Sequence, residues 1–367
     1  MPVLPVNGYF DANATTPLDP AARAAWLSAS WHNPSSLYRE AAEAREHLDD
    51  CRSRLGDLLG CEPEDLVFLS GATEANNAVI DHFARRGARI AVSAIEHPSV
   101  REPASGALSF PAGPDGVVDL DALRRLLEAE RPALVSLMAA NNETGVLQPW
   151  REALALCQEA GVAFHCDAAQ WLGKRPCAGL GDCDFLTGSA HKFGGPRGVG
   201  FLKVARGTPL RWLRGGPQEE RRRAGTENLP GIAAMLAALE ARETWLAGAV
   251  EPEIHRTAFE AAIQSAISGV RVMGGHAPRL WNTVLLVLPD HANVKWLARL
   301  SREGFQVSTG SACSSGGGAS EVLAAMGIPA DELRRVLRIS STWDQTAEDW
   351  TGLLNALRSV HRSLTAS

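Results

Sequence analysis

Apolar and polar positions along this chain follow two periods that take turns. Between about residues 40 and 59 apolar side chains recur at three- and four-residue steps, which predicts an amphipathic helix, and a second helix is expected to open at SGATEANNAVIDHFARRG. Short β-rich runs then exchange with helical stretches: RIAVSA, a helix at DLDALRRLLEAE, ALVSLMAA, a helix at REALALCQEAG, VAFHCDAA, DFLTGS and GVGFLKV. Strand and helix alternating at this spacing predict βαβ units, hence a mainly parallel sheet with helices on both faces. In such sheets ligands gather at the carboxyl ends of the strands.

A long Ala- and Leu-rich helix, LPGIAAMLAALEARETWLAGAV, reads as a connector. Beyond it come VRVM, NTVLLVLP, a helix near NVKWLARLSREG, the small polar stretch STGSACSSGGG, the strand VLRIS and a last helix. That texture predicts a smaller α+β unit. A length of 367 residues exceeds what one core usually fills. The expected organisation is a large α/β domain over 15–245 and a small α+β domain over 246–367. Residues 1–14 are grouped with the small domain, although their own sequence does not decide between the two.

Charge narrows the class of partner. A formal charge of −6 without any basic run argues against nucleic acid or an anionic membrane as the main partner. The start MPVLPVNGYFDANATTP has no basic segment followed by an apolar one, and no apolar run nears the roughly 18 residues that span a bilayer. A cytoplasmic protein is expected. The seven cysteines (51, 61, 157, 166, 177, 183, 313) include no C-x-x-C pair, which fits reduced thiols better than a disulfide framework or a zinc site, so no metal is expected.

Only four of the 36 basic residues are lysine, at 174, 192, 203 and 295. Lys174, Lys203 and Lys295 read as solvated or snorkelling side chains. Lys192 differs, because it sits in TGSAHKFGGPRGVGFL among small and apolar residues. An amine can lose its proton and attack a carbonyl, which suits Schiff-base chemistry. Asp167 closes the apolar run VAFHC, and alone it is equally well a turn or capping residue. With Gln170 nearby and Lys192 further on, it becomes the acid that pyridoxal phosphate needs beside its ring nitrogen.

Other positions acquire meaning in that company. SGATEANN, with Ala72 and Thr73, is an ordinary capped helix start or a phosphate cradle. Ser189 and His191 offer further donors to the same phosphate. His97 follows RIAVSA and is either a satisfied structural histidine or a ring that stacks on the cofactor and moves protons. Asn142, after another strand, is a turn residue or a partner, with Gln170, of the ring oxygen. Cys313 lies in a stretch too small and polar to bury it, which is either a linker that happens to hold a cysteine or a loop that suits a thiol reaching for a substrate. Arg338 in VLRIS offers a bidentate contact to a carboxylate.

Taken in order, DANATTPLDP, NPSS, SGATEANN, EHPSV, NNETGVLQP, HCDAAQ, GSAHKFGGPRGVG, RRAGTENLPGI, GSACSSG and VLRIS resemble the NifS/IscS-like cysteine desulfurases of the class V aminotransferase group. The resemblance covers nearly the whole chain. It implies a fold type I pyridoxal-phosphate enzyme that turns L-cysteine into L-alanine and carries the sulfur as a persulfide. It makes Lys192 the Schiff-base lysine, Asp167 the pyridinium partner, His97 the stacking histidine and Cys313 the catalytic cysteine. Asn142 and Gln170 then approach the ring hydroxyl, and Arg338 with Asn142 binds the substrate. Ala72, Thr73, Ser189 and His191 line the phosphate, joined by Thr226 from the other subunit of a homodimer. The implied acceptor is a protein such as an iron–sulfur scaffold or a tRNA-thiolation protein.

The chain departs from the family pattern after VLRIS, where it reads STWDQ instead of a Leu-Gly-Arg turn, and at Tyr38, where a histidine is common. Neither change touches the cofactor set. Selenocysteine lysis and other class V reactions on this fold remain alternatives, as does a silent sulfur-relay scaffold. Cys313 argues against simple transamination, and the joint presence of Lys192, Asp167 and Cys313 argues against a scaffold.

Overall fold

The computed structural model describes residues 8–310 and 320–366. Local signals set the first elements. Asp19 accepts a hydrogen bond from the Ala21 amide and precedes a proline, so α1 (Pro20–Ser28) begins there. The α2 helix (Arg39–Leu59) buries Leu48, Cys51, Leu55 and Leu59 along one face and stops at Gly60, which takes the left-handed conformation at φ 76°. There follow β1 (Leu66–Leu69), α3 (Ala72–Ala84), β2 (Ile90–Ser93), the single turn α4 (Pro98–Arg101), β3 (Leu108–Phe110) and α5 (Leu120–Glu130). Next come β4 (Leu134–Ser136), α6 (Trp150–Ala160), β5 (Ala163–Asp167), β6 (Phe185–Ser189) and β7 (Gly200–Lys203).

These strands form one seven-stranded sheet in the order β1-β7-β6-β5-β4-β2-β3. Pairing is parallel from β6 through β3, and β7 alone runs antiparallel to both neighbours. The sheet is thus mainly parallel, as expected, and β1, β2, β4, β5 and β6 send their carboxyl ends to one edge. Successive side chains divide between its faces: Leu66 and Phe68 join a core with α2 and α6, whereas Val67 and Leu69 join another with α3. Cover on both sides explains why β1, β2 and β6 are buried throughout.

The rest of the chain builds α7 (Leu229–Gly248), α8 (Ile254–Ala266), β8 (Arg271–Val272), β9 (Thr283–Val287), α9 (Asn293–Arg302), α10 (Glu321–Ala325), β10 (Val336–Ser340) and α11 (Ala347–Thr365). An antiparallel sheet in the order β10-β9-β8 shares a core with α8, α9 and α11, centred on Phe259, Trp296, Leu337 and Trp350. Phe10 belongs to that core, and its backbone pairs with Gln306 at 2.8 Å and Ser340 at 2.9 Å. Three residues later the same segment reaches the carboxyl edge of the large sheet.

Candidate active site

A cavity of about 450 Å³ opens at that edge. Asp167 reaches it from the end of β5, and Lys192 from a 3-10 turn that directly follows β6. His97 enters after β2, and the start of α3 after β1. Asn142, Gln170 and Arg338 complete the wall, with Ala72, Thr73, Ser189 and His191 at the α3 end. Ten of the positions singled out from the sequence therefore meet in one place.

Hydrogen bonds fix how these groups stand. Asp167 Oδ1 accepts from the Ala169 amide at 2.9 Å, and Oδ2 from Asn76 Nδ2 at 2.8 Å. Asn76 gives its other amide hydrogen to Ser99 Oγ at 2.9 Å, and that hydroxyl lies 2.8 Å from His97 Nδ1. The same nitrogen caps α4 by accepting from the Ser99 amide at 3.1 Å. A ring nitrogen that accepts is unprotonated, so the neutral imidazole carries its proton on Nε2. Burial pushes the His97 pKa below the usual histidine value, against the pull of Asp167. Asp167 and His97 are thus linked through two residues that the sequence reading passed over.

Lys192 Nζ donates to the carbonyls of Asn13 at 2.7 Å and Ala14 at 2.9 Å. Arg338 pairs with Asp11 at 2.7 Å and donates to the Asn142 carbonyl at 3.1 Å, while its Nε is buried without a hydrogen-bond partner. Asn142 Oδ1 is likewise buried and unpartnered. Such groups are costly unless a ligand satisfies them.

The α3 end is shaped for an anion. Gly71 adopts φ 146° and ψ 180°, closed to other residues, and α3 begins at once with no side-chain cap. Its first amides are available to a ligand, beside Thr73 and Ser189. Burial and the nearby Lys192 push His191 down to about 4, so it is neutral. Burial alone would raise Glu74, but bonds from Ser70, Trp212 and Arg223 hold it down at about 2. Its oxygens are engaged by those partners at 2.8 to 3.1 Å.

Two expected site residues stand apart. Thr226 lines a separate cavity of about 180 Å³ with Glu219, Arg223 and Gly225, next to the first. Cys313 lies outside the described residues. Two lysines need correction. Lys174 and Lys203, read as solvated, are 0% and 8% exposed. Lys203 Nζ donates to the Cys183 carbonyl across the sheet, and Lys174 Nζ to the side chains of Asn13 and Gln170. Burial of these amines depends on parts of the chain brought together by the fold, Asn13 over Lys174 and Cys183 beside Lys203, so neither position betrays it locally. Asn13 likewise carries no local signal of its role.

The chain matches the family model described as aminotransferase class-V over residues 8–353. It is 39% identical to a cysteine desulfurase of Klebsiella pneumoniae over 348 residues, covering 90% of this chain and 87% of that one. It is 34% identical to the cysteine desulfurase IscS of Dictyoglomus turgidum, with 97% and 95% covered. Among solved structures, a NifS-like protein from Rickettsia africae superposes with a TM-score of 0.89 at 28% identity, covering 96% of this chain and 99% of that one. The chain belongs to the class V aminotransferase family and, within it, to the cysteine desulfurases.

Proposed function

We propose that this protein is a pyridoxal-phosphate-dependent cysteine desulfurase, which releases L-alanine from L-cysteine and passes the sulfur through Cys313 to an acceptor protein. The observation that supports it is the single cavity holding Lys192, Asp167, His97 and Arg338, with Asn142 Oδ1 and Arg338 Nε buried and unpartnered in its wall. The residues fit the cofactor. Its phosphate would be held by the start of α3 with Thr73, Ser189 and His191, its ring nitrogen by Asp167, its ring oxygen by Gln170 and Asn142, and its aldehyde carbon by Lys192.

When bound, the cofactor supplies an electron sink for negative charge at the substrate α-carbon. Asp167, braced by Asn76 and Ala169, keeps a proton on the ring nitrogen. Arg338 uses Nε to hold the substrate carboxylate while its other nitrogens stay on Asp11 and Asn142. Lys192 would take the α-proton at Nζ and return it to the α-carbon as alanine forms. His97, with its proton on Nε2, would stand against the cofactor ring. The Cys313 thiolate attacks the substrate sulfur: the carbon–sulfur bond breaks, a sulfur–sulfur bond forms on Cys313, and the electron pair left on carbon takes a proton to give alanine. Cysteine is mostly protonated near neutral pH, so the attack requires the reaction site to favour the thiolate.

Thr226, in its separate cavity, is read as the residue that reaches the phosphate of a partner subunit, which makes the working unit a homodimer. The acceptor belongs to the class of iron–sulfur scaffolds or tRNA-thiolation proteins, in the cytoplasm. Among the described residues no helix is long and apolar enough to cross a membrane.

The test is to incubate the purified protein with L-cysteine and dithiothreitol and to quantify alanine and sulfide together. Equal yields are expected, with Cys313→Ala abolishing both while the protein stays yellow. Lys192→Ala should remove the borohydride-reducible cofactor adduct. A yellow protein that makes neither product would overturn the substrate, and selenocysteine and amino-group acceptors become the next assays.

A further inference from the structure

Lys174 is among the largest side chains that the fold buries completely, and among the described residues no carboxylate bonds its amine. Its Nζ donates to Asn13 Oδ1 at 3.0 Å and to Gln170 Oε1. Burial, followed by the nearby charges of Lys192 and Arg338, pushes its pKa well below that of an ordinary lysine. An apolar side chain of similar length would fill this space without desolvating an amine. What the amine adds is donors, aimed at two amide oxygens.

Those oxygens decide which way two amides face. With Oε1 turned to Lys174, Gln170 presents Nε2 on the other side, where it donates to the Asn13 carbonyl at 3.0 Å. An amide nitrogen has a second hydrogen, and Gln170 lines the cavity. The reversed amide would set Oε1 against the Asn13 carbonyl, acceptor against acceptor. Asn13 is held by more partners: Oδ1 accepts from Lys174 and from Asn282 Nδ2 at 3.3 Å, and Nδ2 donates to Thr283 Oγ1 at 2.9 Å and to the Asn142 carbonyl at 3.2 Å. The Asn13 carbonyl also accepts from Lys192 Nζ. The turn that delivers Lys174 is itself fixed. Gly173 adopts φ 70°, and a Cβ there would lie 2.5 Å from that of Phe193, the residue after Lys192.

We propose that Lys174 is a positioning residue whose buried amine locks the amide of Gln170, so that Gln170 offers the cavity a donor. This rests on reading the cavity as the pyridoxal-phosphate site. The donor then meets an anionic ring oxygen next to the Lys192 nitrogen. Without it, that oxygen holds the proton on the Lys192 nitrogen more tightly.

The readout is the pH titration of the bound cofactor's visible absorbance in wild type, Lys174→Met, Gln170→Met and the double variant. Lys174→Met is expected to raise the midpoint by about half a pH unit or more, Gln170→Met to do the same, and the double variant to move no further than Gln170→Met alone. Lys174→Gln, which keeps a donor, should titrate like wild type and serves if the methionine variant does not fold. An unchanged midpoint in Lys174→Met, or in Lys174→Gln a shift as large as that of Gln170→Met, overturns the proposal. So do fully additive shifts, which would make Lys174 a charge acting independently of Gln170. A wild type with no reducible adduct at Lys192 would instead overturn the reading of the cavity, a result the titration distinguishes because no band is then present.

Discussion

The acid next to His97 shows how burial sets chemistry at a single residue. Glu96 is fully buried, with Oε1 accepting from Ser93 Oγ at 2.8 Å and the Met138 amide at 2.6 Å, and Oε2 without a partner. Burial, reinforced by Asp167, pushes its pKa from 4.5 to about 8. Between those values the unfolded chain has lost the proton and the folded one has kept it. Stability therefore falls as pH rises through that window, and the penalty is complete above the folded pKa. Glu96→Gln keeps the shape without the titration. It is expected to flatten the decline of the melting temperature between about pH 5 and 8, a gain on the order of a few kcal/mol at the upper end; equal slopes would show that Glu96 is ionised in the fold. Asn76→Ala removes the donors to both Asp167 and Ser99. Cofactor affinity, read by fluorescence titration, should fall about tenfold or more, and undiminished binding would show that Asp167 needs no brace. Lys192 and Asp167 were legible because side-chain chemistry and a place after an apolar run are local facts. Asn76, Ser99 and Lys174 were not, since their roles arise only when strands far apart in sequence converge.

Elements converge through backbone contact as well as through side chains. A Cβ on Gly200 in β7 would lie 2.4 Å from the Gly188 carbonyl of β6 and 2.8 Å from Gly71 Cα before α3. Both neighbours are backbone, so the strands must part or the anion cradle must move. Gly200→Ala is expected to cost about 1–3 kcal/mol in denaturant unfolding and to weaken cofactor binding with it. Gly198→Ala has open space and a positive φ of 76°, so it should cost only about 1 kcal/mol of backbone strain. Similar losses from both would show that space at Gly200 is not limiting. Elements with a strong period were readable: α2, α3, α5, α6, α9 and α11 lie where apolar spacing puts them. No apolar period along the chain announces α1, β1 or α8. The first is Ala-rich without a stripe, β1 is a four-residue run after a 3-10 turn, and α8 scatters its apolar residues among polar ones.

At the scale of the whole molecule, Asn13 joins parts that lie far apart in sequence. Its side chain bonds Thr283 in β9, the Asn142 carbonyl beside the cavity and Lys174, and its backbone amide bonds Ser340 Oγ in β10. Asn13→Ala leaves several buried partners unsatisfied, and a loss of about 2–4 kcal/mol is expected. Unfolding followed by tryptophan fluorescence and by circular dichroism should then cease to coincide, because the two sheets lose a shared support; coincident transitions would mean that other contacts couple them. This junction was illegible in the sequence, since a short extended segment has no period and its burial is decided by residues hundreds of positions away. The placement of the four lysines has a practical consequence of another kind. Lys174 and Lys203 are sealed in the fold, Lys192 is half-buried in the cavity, and Lys295 on α9 is exposed. An acylating reagent or amine-coupling surface therefore meets one outward lysine and one that a ligand can shield. Lys295 becomes the one lysine handle for attaching the folded protein, beside its α-amino group, and modification of Lys192 becomes a chemical gauge of how many cavities are filled.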